Sequence, residues 1–171
     1  GRVIRYLSWI AARLGDPSEA WDRLRLLSSE YVGADGEVDP TGADVETVGD
    51  YLFVHRHLGF GPGAGMEAWR RRAVSVMVWR RRSWPVVLAE PLGWWHMRMG
   101  RPNEALRYLE PVAGTSVRLR GSRVRRSMIE ALLWRGDLAR AREVRGELVR
   151  LSGRGQRCLY AGHTLVMDAK L

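Results

Sequence analysis

The 171 residues carry a formal net charge of +9, 46% hydrophobic residues and eight tryptophans. That is enough apolar material for one packed domain or four to five short repeats, and too much for a disordered chain. No apolar run approaches the roughly 20 residues that span a bilayer; the longest, Ala73 to Trp79, is broken by Ser75 and closed by Arg80, Arg81 and Arg82.

No secretory signal pattern opens the chain, and Gly1 in place of methionine points to a processed protein, a tag remnant or an excised fragment. Ile4, Leu7, Ala11 and Leu14 then follow helical spacing up to Gly15. Asp16 and Glu19 stand at capping-box spacing with Pro17 in the first turn of a second helix. Residues 33–42, with three glycines and a proline, read as a turn-rich loop. A helix is predicted over 45–58, with Val48, Leu52 and His55 on one face. Gly59, Gly61, Gly63 and Gly65 make a joint; without Gly-Lys-Ser/Thr or a preceding strand it is not a phosphate loop. A long basic-apolar helix runs from Met66 to Arg82.

The clearest unit follows. Leu92, Trp95 and Met99 form an apolar stripe, Gly100 supplies a left-handed helix end, and Pro102 opens a helix whose inner face is Ala105, Leu106, Leu109 and Val112. The next unit repeats it: Met128, Leu132 and Leu133, then Gly136, a capping Asp137, and Ala141, Val144, Leu148 and Leu151. A last helix over about 156–169 carries Leu159, Tyr160, His163 and Val166 and reads as a cap.

The phrase Gly-x-x-x-x-Ala thus occurs at Gly15–Ala20, Gly100–Ala105 and Gly136–Ala141, the last two 36 residues apart. A period of this size marks helical hairpins that bury their apolar faces only by stacking. The expectation is an all-α single domain over 1–171, built of antiparallel helix-hairpin units at about 2–30, 43–82, 85–113 and 121–151 with a cap at 156–170.

This pattern resembles the tetratricopeptide repeat family. Leu92-Gly93, His96, Gly100, Ala105 and Leu109 fall in its register, as do Leu7-Ser8, Ala11, Gly15, Ala20, Leu24 and Leu27, and Met128, Leu132, Gly136, Ala141 and Leu148, with Ile129 in the place of the small residue. The resemblance implies a short right-handed α-solenoid that binds a peptide or protein on a concave face. Its degenerate copies look like those of bacterial regulator and scaffold domains. Ala131 to Gly155 also resembles one unit of the pentatricopeptide RNA binders.

Charge is unevenly placed: residues 1–68 hold six Arg against eleven acids, and residues 69–171 hold 22 basic residues against eight acids. Lys170 is the only lysine; arginine suits phosphate and carboxylate forks, and its dominance is also what a GC-rich genome produces. Arg70 and Arg81 stand three helical turns apart, and with Arg71, Arg118, Arg123, Arg125 and Arg126 they form a candidate phosphate-binding stripe. Trp69, Trp79 and Trp84 lie beside it, to stack on bases or to fill the core.

Catalytic and metal chemistry find no footing. His55 and His57 face opposite ways on a helix, His96 and His163 lack ligand spacing, and Cys158, the only cysteine, has His163 nearby but no third member. No metal and no cofactor are expected, and a lone cysteine predicts a reducing, cytoplasmic setting. Three functions remain. The first is a noncatalytic scaffold gripping a protein or peptide with acidic groups through Trp95, His96 and Arg98. The second is a nucleic-acid scaffold using the arginines above, and the third is an effector-sensing domain of a bacterial transcriptional regulator.

Overall fold

The computed structural model describes residues 16–58, 64–79, 85–114 and 118–152, together with Leu7, Ile10, Ala11 and Leu14. The described residues are all-α. Seven helices follow among them in chain order: α1 Pro17–Ser28, α2 Val45–Leu58, α3 Ala64–Trp79, α4 Val86–Arg98, α5 Pro102–Ala113, α6 Arg118–Arg135 and α7 Leu138–Ser152. Neighbours in sequence pack on one another: α1 on α2, α2 on α3, α5 on α6 and α6 on α7. The predicted cap at 156–170 and the glycine joint at 59–63 lie outside the described residues. The chain divides into two compact units, residues 1–92 and 93–171, with the boundary inside α4.

The repeated phrase has one physical meaning at each copy. Gly100 and Gly136 sit at φ +68° and +80°, a backbone region that costs other residues about 1–2 kcal/mol. The Gly100 N–H donates to the Met97 carbonyl at 3.0 Å and the Arg101 N–H to His96 at 2.9 Å. At the later turn Gly136 donates to Leu133 at 3.0 Å and Asp137 to Leu132 at 2.9 Å. This is the Schellman closure, which satisfies carbonyls orphaned at a helix end. The first copy shares its outer bond, Asp16 N–H to Ala11 carbonyl at 3.0 Å.

The residue after each glycine then starts the next helix. Asp16 Oδ1 accepts from the Glu19 amide at 2.9 Å and Asp137 Oδ1 from the Arg140 amide at 3.2 Å. The alanine of the phrase donates the first helical bond back to that residue: Ala20 to Asp16 at 3.2 Å, Ala105 to Arg101 at 3.1 Å and Ala141 to Asp137 at 3.1 Å. All three alanines are fully buried. Leu14 and Met99, expected on the inner stripes, are instead exposed at 81% and 42%. Each directly precedes the glycine of its turn phrase in the sequence.

In residues 1–92 an aromatic cluster sits within an otherwise aliphatic core. Trp69 of α3 is fully buried, stacked on Tyr51 of α2 at 4.3 Å and met edge-on by Tyr31 at 5.2 Å. Residues 29–44, the departure from the repeat period, form a compact insertion. An antiparallel bridge joins Val32 to Val38, Gly36 turns at φ +79°, and the Asp39 N–H donates to the Tyr31 carbonyl at 2.7 Å. A second 3-10 turn, Pro40–Gly42, after that at Ser29–Tyr31, leads to Asp44, whose Oδ1 caps α2 through the Thr47 amide at 2.7 Å.

Helix α4 carries Pro91 in its interior. Proline has no N–H, so the Val87 carbonyl one turn back loses its helical donor. Gly49 of α2 approaches at that point: a Cβ there would overlap Val87 Cγ2 and stand 3.0 Å from the Val87 oxygen. The buried Arg56–Glu90 ion pair, 2.5 Å between Nη1 and Oε1, ties the same two helices. In residues 93–171, Gly93 lets α4 approach Leu109 of α5, whose side-chain atoms would lie 2.7–2.9 Å from an added Cβ.

Two glycine-to-alanine substitutions therefore act with opposite sign in urea unfolding followed by circular dichroism. Gly49→Ala lowers stability by about 1–3 kcal/mol, because overpacking outweighs helix propensity. Gly146→Ala in α7, where an added Cβ meets nothing within 4 Å, raises it by about 0.5–1 kcal/mol.

Candidate functional site

Helix α4 turns its two adjacent tryptophans in different directions, as neighbouring side chains about 100° apart must. Trp95 points inward and keeps 7% of its surface, while Trp94 is half-buried. His96 is 9% exposed, its ring stacked on Tyr108 of α5 at 5.2 Å. Of the three residues expected to grip a partner, only Arg98 is exposed. His96 packs on α5 and Trp95 is buried, and a buried ring offers a partner little area.

Helix α6 shows the same division. Ser122, Val124, Ser127, Met128, Ile129, Ala131 and Leu132 are buried, and Arg123, Arg126, Glu130 and Leu133 are partly accessible along the opposite stripe. That stripe ends in Trp134, exposed at 66%. The 36-residue offset between Gly100 and Gly136 pairs Arg98 with Trp134 and Trp94 with Glu130. The accessible first-helix residues of 93–135 therefore include Trp94 and Arg98 on α4 and Arg126, Glu130 and Trp134 on α6. Sequence reasoning missed Trp134, although the offset from Arg98 marks its position. Its contribution is a large, rigid apolar surface, the kind that anchors protein interfaces.

The arginines of the expected phosphate stripe meet different fates. Arg70 is bound to Glu67 through two bonds, at 2.8 and 2.5 Å. Arg125 pairs with Glu147 at 3.3 Å and is itself only 11% exposed. Arg72 donates to the Ala43 carbonyl from Nε at 3.3 Å and Nη2 at 3.0 Å. Arg71 is exposed, and Arg123 and Arg126 are partly so. Trp69, read as either a base-stacking or a core residue, is fully buried. Arg81, Trp84, Cys158, His163 and the side chains of Arg118, His57 and Trp79 lie outside the described residues. Arg70 and Arg71 lie in one compact unit and Arg123, Arg125 and Arg126 in the other.

His55 sits 5% exposed in α2, beside Tyr51 at 6.1 Å and Trp21 at 6.2 Å. Burial among rings disfavours the imidazolium and pushes its pKa down to about 4. The same burial pushes the Tyr51 phenol up to about 12. Neutral His55 therefore belongs to the aromatic core. Among the described residues, no group of three or more His, Cys, Asp or Glu side chains is placed to hold a metal ion. No described helix is long and apolar enough to cross a membrane.

Comparison with protein-family models, with curated proteins and with solved structures gave no match to this chain.

The His55 environment sets a pH dependence. The unfolded chain takes up the His55 proton near 6.5, whereas the folded chain resists it until about 4. Between those values the unfolded state binds more protons, so stability is full above pH 6.5 and falls as pH drops towards 4. The loss reaches about 3 kcal/mol at 1.36 kcal/mol per unit. Urea midpoints measured from pH 7 to 4 show this slope in the wild type and its removal in His55→Phe.

Proposed function

We propose that this chain is a noncatalytic, tetratricopeptide-like scaffold that holds a segment of a partner protein on the first-helix face of residues 93–135. Trp134 anchors an apolar side chain, and Arg98 and Arg126 meet acidic groups. The observation that carries this reading is Trp134 at 66% exposure. A tryptophan left this accessible at a repeated register position is explained by a partner that covers it. The hairpin hinges support the repeat reading: the glycine closure and the buried alanine recur at positions 36 residues apart. Repeats so built present their first helices as a rigid surface, which lowers the ordering cost of binding an extended segment.

The nucleic-acid alternative draws on the net positive balance of residues 69–171. Against it, Arg70, Arg72 and Arg125 are engaged within the fold, and Trp69 is buried. A cytoplasmic setting goes with the peptide reading, since it accommodates the lone Cys158 as a thiol.

Selection of a random-peptide display library on the intact chain tests the proposal. Enriched peptides combine acidic residues with an aromatic or aliphatic anchor. They bind Trp134→Ala and Arg98→Ala at least about tenfold more weakly, a loss typical of hot-spot truncation, with helicity unchanged. Trp95→Ala, by contrast, loses helicity together with binding. Equal peptide binding to wild type and to the Trp134→Ala, Arg98→Ala double variant overturns the reading. So does exclusive, steeply salt-dependent capture of a single-stranded oligonucleotide.

A further inference from the structure

The insertion at residues 29–44 builds a recess that the repeat pattern alone does not have. Its floor is one face of α3: Ala68, Arg71, Arg72 and Ser75 stand at i, i+3, i+4 and i+7. Its far wall is the end of the insertion, Val38, Asp39, Pro40 and Thr41. The recess opens to solvent and has a volume of about 280 Å³. That is below the usual range of about 300–1,000 Å³ for drug-sized ligands. It suits a head group or one side chain rather than a nucleotide.

The wall is held by bonds that leave particular groups available. Arg72 reaches across to the Ala43 carbonyl with Nε and Nη2, which pins the insertion to α3. Asp39 Oδ1 accepts from the Thr41 amide at 3.0 Å and from the Thr41 hydroxyl. Those two hydrogen bonds, with Arg72 adding, hold the Asp39 carboxyl below the usual carboxylate range. Asp39 is thus an ionised capping group, already occupied by its own turn. Arg71 is exposed and has no ion pair or hydrogen bond among the described residues. The Ser75 hydroxyl lies one turn further along the same face. Two guanidinium groups against one carboxylate leave the recess with a net positive charge.

We propose that this recess binds a single oxyanion group, a carboxylate or a phosphate monoester, with Arg71 as its fork and Ser75 as a second donor. Arginine's planar pair of N–H groups matches both anions. Asp39 opposes a second negative charge, so the site selects small anions of low total charge. It lies wholly within residues 38–75 and makes no use of the Trp134 face, so either proposal stands if the other fails.

The test uses the intact chain labelled with nitrogen-15, titrated with inorganic phosphate, acetate and O-phosphoserine at ionic strength held constant with sodium chloride. The expected result is saturable shifts of the Arg71 Nε–H and of the Thr41 and Ser75 amides. Arg71→Gln weakens binding at least tenfold and Asp39→Asn tightens it about threefold, with helicity unchanged in both. Saturation by phosphate and phosphoserine alone identifies a phosphate site, and saturation by all three identifies a general oxyanion site. Equal affinity of wild type and Arg71→Gln, shifts no larger than chloride produces, or saturable shifts mapping elsewhere overturn the assignment.

Discussion

The six-residue turn between paired helices is the constraint on which the remainder of this structure rests. A helix end leaves carbonyls without donors and a helix start leaves amides without acceptors, and neither is tolerated next to a core. At Gly100 and Gly136 the left-handed glycine turns two amides back onto the ending helix. At Asp16 and Asp137 a carboxylate takes up an amide of the starting one. The alanine five residues on closes the first helical bond and is fully buried in all three copies. A larger side chain there would hold the paired helices apart, so the phrase fixes both the reversal of the chain and how closely its arms can lie.

Close approach between helices is then managed locally. Gly49 meets the Val87 carbonyl that Pro91 has released from its helix, so a helix interruption and a missing side chain occur together. Gly93 gives Leu109 its place. In the later unit fully buried Ile129 fills the equivalent position, so close approach is not demanded of every copy. The buried Arg56–Glu90 pair fixes α2 on α4; such pairs specify one arrangement more than they add stability, because desolvation offsets most of their attraction.

The surface that remains after this packing limits what the chain can do. Aromatic residues dominate the protein's candidate contacts, yet Trp69 and Trp95 are consumed by the interior and Trp134 is not. Likewise Arg70, Arg72 and Arg125 are held by groups of the fold, whereas Arg71 and Arg98 face outward. Net charge read from composition therefore overstates the cationic surface that a partner meets. Among the described residues, Trp134, Arg98 and Arg71 are side chains that stay accessible to a partner.

The helix ends were legible in the sequence because their causes are local. Gly100, Gly136, Pro102, Asp16 and Asp137 act on amides and carbonyls within six residues of themselves, so their spacing alone states where each helix stops and starts. The helix at 45–58 and its inward Val48, Leu52 and His55 were legible for the same reason, through periodicity. Burial is not local. Trp95 and Trp134 look alike in sequence, and so do Arg71 and Arg72; in the fold Trp95 is buried and Arg72 is bonded to the insertion, while Trp134 and Arg71 are left outside. Only the folded arrangement decided those outcomes, because each depends on contacts between segments whose separation along the chain no period encodes.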